Sequence, residues 1–536
     1  MFYDRDRRST TICAKTQYNI ALHRGTEARN HAWAMPFLPF NIVHNLRSEL
    51  AGSDAEILTW GSDGYENCMQ QWSETCDTFV GATVRITSAA QAAAVVRFAA
   101  QHEIPFTARG GGYSTSGASI TYGGIVLDLS KLRDVHVDPD SQTVTVQGGA
   151  VWADVDVAAA QHGLVVVGST LNQIGAAGAT LGGGYGWLTG QYGLAIDNLL
   201  WAQMVLADGS VVRESDAENP DLFWAVRGAG QCFGVAVELG FRAHRLVAEE
   251  AEHRVFAGTL RFAPEKLPRI VAFANQFESL NDGRQGFWFG ITTESTAAQC
   301  SSILIVLFHN GPEGEARQFF TPVLSLESKS DTTQMLPYDG LNRILNSKDI
   351  MARRDSFPKV NITYPDKSVG FRKSLRGSNI TLPLDVDFVQ SVYDEFNAVV
   401  ADYPEARDRR ILFEILPNKE VTKVPINATA FASRGPYYNV SSLFEWSEAH
   451  LDDEIRARQK RLMERVGKCA GIERKPGYNP SLHGAGLYAN YAGHDIPVEE
   501  IFGDNLPRLR ELKAKYDPRN IFRKWHNLNQ HVHPPA

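Results

Sequence analysis

Arg109-Gly-Gly-Gly-Tyr-Ser-Thr-Ser-Gly117 and Gly175-Ala-Ala-Gly-Ala-Thr-Leu-Gly-Gly-Gly-Tyr-Gly186 are the two stretches on which the fold turns. The first lies between the strand pattern Ile104-Pro-Phe-Thr-Ala108 and the apolar run Ile125-Val-Leu-Asp-Leu129. Consecutive glycines permit positive φ and leave backbone N–H groups unshielded, which suits an anion nest of the kind that holds a pyrophosphate. A tight turn without a ligand would use the same residues. No Gly-Lys-Ser/Thr follows, so a triphosphate P-loop is excluded. The second stretch is so poor in side chains that it must lie against a flat or extended object, or against other backbone. A Rossmann fingerprint would open a helix and place an acid about 20 residues on; here the glycines run into another loop.

Outward from these loops the patterns are α+β. Thr83-Val-Arg-Ile86 reads as a strand, and Ser88 with Gln91 forms a capping box before an apolar helix over 89–102. Short strands with Pro-Asp, Gly-Gly and Asp-Gly turns follow at 135–149 and 204–212, around a helix from Trp152 that ends at Gly163. After about residue 248 the strands lengthen (285–295, 301–310) and alternate with amphipathic helices at 389–403 and 447–467. The expected organisation is an N-terminal extension over 1–43, a first domain over 44–248, a second over 249–480, and a C-terminal segment over 481–536.

The 536 residues carry 53 Lys plus Arg against 61 Asp plus Glu, a net charge of -8, which argues against a nucleic-acid partner. No segment reaches the roughly 20 apolar residues of a membrane span, and no leader is evident, so a cytoplasmic protein is expected. Four Asn-X-Ser/Thr sequons, at Asn361, Asn379, Asn427 and Asn439, keep secretion open. The six cysteines have no zinc spacing and read by default as buried thiols, with Cys68 and Cys76 the one pair close enough to offer a local bridge as the alternative. The His531-Val-His533 tail and the lone His162 and His483 lack supporting carboxylates, so no metal is expected.

Taken in order, the first loop, Ile125 to Ser130, the second loop, Asp197-Asn198, Ala207-Asp-Gly209 and Asn219 to Gly230 before Phe233-Gly234-Val235 closely resemble the FAD domain of the vanillyl-alcohol oxidase and p-cresol methylhydroxylase superfamily. Tyr488-Ala-Asn490-Tyr491, with Leu512 to Phe522, is similar to the tail of its berberine bridge enzyme branch. The resemblance implies a two-lobed FAD domain of the p-cresol methylhydroxylase type, an α+β substrate domain whose antiparallel sheet roofs the isoalloxazine, and a tail that returns to the FAD domain. Carried over by position, Arg109, Gly110, Gly111, Gly112, Tyr113, Ser114 and Gly117 hold the pyrophosphate. Gly178, Ala179, Gly182 and Gly183 pass beside the flavin and ribityl chain, Asp197, Val235 and Val237 line the rest, and Asn490 joins them from the tail.

Many members of this branch attach FAD through a His and a Cys. Those places hold Tyr113 and Leu171 here, so FAD is expected to bind without a covalent link, with Tyr113 packed against the dimethylbenzene edge. Ile174 occupies the position that controls oxygen access in relatives, and one methylene beyond valine predicts sluggish reoxidation. Two catalytic candidates follow. Tyr488 is a base over the flavin or a structural phenol, and Glu414 is a roof-sheet acid or a solvated edge residue. The implied function is an FAD-dependent oxidoreductase acting on a small secondary metabolite, aromatic, polyketide-like or alkaloid-like, with oxygen or another acceptor, as a monomer or weak dimer. A redox-neutral cyclase or isomerase that keeps FAD as scaffold is the alternative.

Overall fold

A computed structural model of the protein describes residues 37–246, 254–293, 301–345, 371–403, 409–469 and 486–529. The expected boundaries near 248 and 480, Asn361, His483 and the His531/His533 pair lie outside these residues. A helix, Phe40–Glu49, runs across residue 43, so ordered structure starts before the end assigned to the N-terminal extension.

The first lobe is built on a four-stranded sheet in the order Glu56–Leu58, Ala82–Arg85, Ile125–Asp128, Phe106–Arg109, of which the last three are mutually parallel. Helix Ala89–Gln101 crosses between two of them and buries an almost continuous Ala/Val/Phe face. Ser88 caps it by accepting from Gln91 N–H, while the Gln91 side chain reaches back one residue further than a capping box requires, to Thr87 N–H. The second lobe is an antiparallel sheet centred on Val235–Arg245, with Thr143–Gln147 and Leu199–Val205 on its flanks. Helix Trp152–Ala160 packs against it through the fully buried Trp152 and Val155.

The third sheet has eight antiparallel strands, with Gln285–Thr293, Arg409–Ile415 and Tyr438–Trp446 adjacent at its middle. Helices Leu267–Leu280, Val386–Asp402 and Asp452–Cys469 accompany it. Phe273, Phe277, Phe287, Phe289 and Phe413 interlock in its core, Phe289 stacked on Phe413 at 4.7 Å. Each such side chain contributes about 1.5–3 kcal/mol. Because side chains alternate along a strand, Ile411, Phe413 and Ile415 enter this core, while Arg410, Leu412 and Glu414 face the opposite way, toward the first two lobes. One reading is corrected here. Glu414 is no solvated edge residue but is buried in a central strand. Cys68 and Cys76, the one pair spaced for a local bridge, are free buried thiols. Asn439 is itself buried in strand Tyr438–Trp446, so that sequon offers no exposed acceptor. Among the described residues no helix is long and apolar enough to cross a membrane.

The two glycine loops meet each other. A Cβ on Gly111 would lie 2.5 Å from Gly175 N, and one on Gly175 would lie 2.6 Å from Gly111 N. The sparing of side chains in both loops is therefore first a packing requirement between two stretches of backbone. The second loop is further pinned where Trp152 N–H and Ala153 N–H, unsatisfied donors of a helix first turn, bond the carbonyls of Ile174 and Asn172 at 3.0 and 2.8 Å. Gly111→Ala is expected to lower the melting temperature, since such overpacking typically costs about 1–3 kcal/mol. Thermal unfolding of the apo-protein measures it, and an unchanged transition would show that the loops separate freely.

Candidate active site

Between the lobes, the roof sheet and the C-terminal segment lies a cavity of about 320 Å³. Its far end is walled by Phe106, Val235, Phe522 and Trp525, its middle by the two glycine loops, and its roof by Trp288, Leu375, Leu412, Glu414, Ser441 and Leu443. Of the residues anticipated from sequence, Gly110, Gly111, Gly112, Tyr113, Ser114, Leu171, Ile174, Gly178, Ala179, Val235, Glu414, Tyr488 and Asn490 all line it.

Others stand behind the wall. The Arg109 guanidinium turns away to Asp128 at 2.5 Å and to the Cys68 carbonyl. Asp197 is engaged by the fully buried Arg434 through two bonds of 2.7 and 3.1 Å, which tie the second lobe to the segment after the roof strand. Val237 belongs to the core of the first lobe, and its carbonyl accepts from Gly148 N–H. Gly117, Gly182 and Gly183 do not line the cavity. Gly182 backs onto the Asn490 amide, and Gly183 onto the rings of Phe431 and Tyr488.

The first loop has the chemistry of an anion cradle. Gly112 sits at φ +72°, and the N–H groups of Gly111, Gly112 and Ser114 donate to no protein acceptor among the described residues. Beside them Ser114 and Ser116 share a hydroxyl contact of 2.8 Å. Gly178 faces empty space, with nothing within 4 Å of a Cβ placed there. Unsatisfied N–H groups at one place and an open glycine floor leading to apolar and aromatic walls at both ends fit an extended dinucleotide carrying a pyrophosphate and a flat ring system.

At the roof, Glu414 Oε1 accepts from Ser441 Oγ at 2.6 Å, and the Tyr491 hydroxyl donates to the carboxylate at 3.2 and 3.3 Å. Burial pushes the Glu414 carboxyl up to about 7, against the opposing pull of Ser441, Tyr491 and the Arg410 charge. Tyr491 is held well above an ordinary phenol, first by burial and then by the neighbouring carboxylate. Tyr185, Tyr488 and Tyr491 meet edge to face at 5.0 and 4.8 Å. The Tyr488 oxygen receives Gly184 N–H at 3.2 Å and Asn490 Nδ2 at 2.8 Å, and burial raises its pKa. Tyr113 packs at a tilt against Trp72, 5.3 Å between ring centroids, and donates to Gln173 Oε1 at 2.6 Å. Sequence reasoning did not single out Ser441 or Trp72. Tyr491 was visible only as part of a motif, because its partner Glu414 lies 77 residues away. Among the described residues no cluster of three metal-ligating side chains occurs.

A two-lobed domain with a glycine-lined cradle, closed by an antiparallel roof that carries a buried acid, defines a flavin-dependent oxidoreductase scaffold. Residues 80–215 match the FAD binding domain family, and residues 487–529 match the berberine and berberine-like family. The chain is 30% identical over 506 residues to the FAD-linked oxidoreductase pgmH of Aspergillus terreus, covering 90% of this chain and 95% of that protein. It is 26% identical over 449 residues to the (R)-6-hydroxynicotine oxidase of Paenarthrobacter nicotinovorans, covering 83% and 90%. Its fold matches that of BBE-like 1 from Physcomitrella patens with a TM-score of 0.74 at 20% identity, covering 91% of this chain and all of that one. The chain belongs to the berberine bridge enzyme-like branch of the vanillyl-alcohol oxidase and p-cresol methylhydroxylase superfamily, and it is an FAD-dependent oxidoreductase.

Because a Cβ at Gly178 meets no protein atom and Gly178 lines the cavity from within helix Ala176–Leu181, where alanine is favoured over glycine by about 0.5–1 kcal/mol, Gly178→Ala should keep or raise apo-protein stability and weaken FAD binding. Titration of apo-protein with FAD checks this. Equal affinity would mean that the cofactor does not pass over residue 178.

Proposed function

We propose that this protein oxidises a small secondary metabolite with FAD held non-covalently, and that Glu414, hydrogen-bonded to Tyr491, accepts the substrate proton. The observation that carries this reading is the buried carboxyl with its pKa near 7, facing the cavity with a tyrosine on one side and Ser441 on the other. A general base works best when its pKa lies near the operating pH. FAD, when bound, supplies the two-electron sink. Ser441 and Tyr491 fix the carboxylate's orientation, and Trp288, Leu412 and Leu443 exclude water from the roof. An apolar roof of this kind favours an aromatic or polyketide-like molecule, and a relative whose name places it on 6-hydroxynicotine is consistent with that class.

Tyr113 and Leu171 both line the cavity at the places where relatives attach FAD, and neither supplies the imidazole or thiol of those links. Precipitation of the holoenzyme with acid is expected to leave the yellow cofactor in the supernatant; colour retained in the pellet would overturn non-covalent binding. Ile174 lines the same cavity and packs partly into the second-lobe core, and we place it as a restriction on oxygen approach.

Glu414 acts as a base only when ionised. Its raised pKa therefore makes flavin reduction rise with pH through about 7 and level off above it. An anaerobic panel of benzylic and allylic alcohols, heteroaromatic amines and oligosaccharides, followed by flavin bleaching, identifies the substrate. A redox-neutral enzyme would bleach with none. With the compound that bleaches fastest, Glu414→Gln should slow reduction about 10²–10⁴-fold and flatten the pH profile. A retained rise through neutral pH would move the base elsewhere.

A further inference from the structure

Tyr488 and Tyr491 sit three residues apart with their rings in edge-to-face contact, yet their hydroxyls are wired in opposite senses. The Tyr491 hydroxyl spends its proton on Glu414. The Tyr488 oxygen is instead a target of donors: Gly184 N–H at 3.2 Å and Asn490 Nδ2 at 2.8 Å, with Tyr185 N–H also directed at it. The Asn490 amide cannot be turned around, because the same Nδ2 donates to the Ala179 carbonyl at 2.9 Å, and a carbonyl only accepts. A phenol oxygen whose lone pairs are occupied from the protein side has one hydrogen-bonding capacity left, its own O–H. No acceptor for that proton occurs among the described residues, and Tyr488 lines the cavity.

We infer that Tyr488 is a fixed hydrogen-bond donor into the cavity, aimed at a carbonyl or ring-nitrogen acceptor of the ring system bound there, and is not the base. The inference rests on the reading of the cavity as the flavin and substrate site. To act as a base Tyr488 would have to be a phenolate, but burial raises its pKa, so the phenol keeps its proton and directs it into the cavity. Asn490 is accordingly a positioning residue, which acts on the ligand only through the phenol.

The test is the near-isosteric Tyr488→Phe holoenzyme, compared with Glu414→Gln. In substrate-free enzyme the visible flavin band and the affinity for sulfite, which adds to electron-poor flavin rings, report a donor on the flavin. An altered band with sulfite affinity weakened about 3- to 10-fold, the size of one hydrogen bond, places the acceptor on the flavin. An unchanged band and sulfite affinity, with KM for the fastest-bleaching panel compound raised by a similar factor, places it on the substrate. In both cases the rise of flavin reduction through about pH 7 should survive in Tyr488→Phe. Loss of that rise would overturn the inference by making Tyr488 the base, and so would a variant unchanged in band, sulfite affinity and KM. If the rise also persists in Glu414→Gln while Tyr488→Phe behaves as stated, the donor role holds and only the assignment of Glu414 fails.

Discussion

Two glycines in backbone contact set the dimensions of everything else. Gly111 and Gly175 approach so closely that neither tolerates a β-carbon, and this contact brings a loop of the first lobe against a loop of the second with no adjustable side chain between them. Protein interiors are packed too densely for such a contact to loosen without cost. The distance between the lobes is therefore fixed by van der Waals radii, and the unsatisfied N–H groups of the first loop are presented at a constant position above the open floor at Gly178.

The remaining walls are held by charges that are largely or wholly buried. Arg434 and Asp197 join the segment after the roof strand to the second lobe, and breaking such a buried pair by removing one partner costs about 3–5 kcal/mol. Lys513 does the same for the C-terminal helix Leu506–Tyr516: its ammonium, with no exposed surface, is satisfied by Asp517 at 2.7 Å and by the carbonyls of Cys232 and Phe522 at 2.6 and 2.7 Å. Three acceptors for three protons make the burial tolerable. His526, whose pKa burial holds down to about 4, lies 3.2 Å from the Ala489 carbonyl beside the tyrosine motif. The geometry of Tyr488 and Tyr491 thus depends on contacts made by residues well outside the cavity.

Local chemistry was legible in the sequence wherever one segment decides it. The glycine loops, the strand at 82–85, the cap at Ser88 and the lengthening of strands after residue 248 all reflect patterns within a few residues. What could not be read is what pairs with what. Alternation showed that Phe413 and Glu414 point oppositely, but only the pairing of strand Arg409–Ile415 with Gln285–Thr293 and Tyr438–Trp446 decides that Glu414 faces the cavity and that Ser441 reaches it. Asp197 illustrates the converse. Its motif placed it near the cofactor, whereas its charge is taken up by Arg434, 237 residues further along, a partner with no sequence signal. The second glycine loop was open to two explanations, and the structure sets Gly175 and Gly186 against backbone, Gly182 and Gly183 against the side chains of Asn490, Phe431 and Tyr488, and Gly178 at open space.

One side of the cavity is made from residues 487–529, which leave the ribosome after every other described part of the chain. Domains form in order of synthesis, at about 5–20 residues per second, so the two lobes, complete at Arg245, precede Tyr488 by more than about ten seconds, and the last central roof strand precedes it by only a few. During that interval the dinucleotide groove has an open flank, and a flavin that docks can leave again. The cavity therefore has all of its walls only once the C-terminal helix lies against Cys232 and is held there through Lys513.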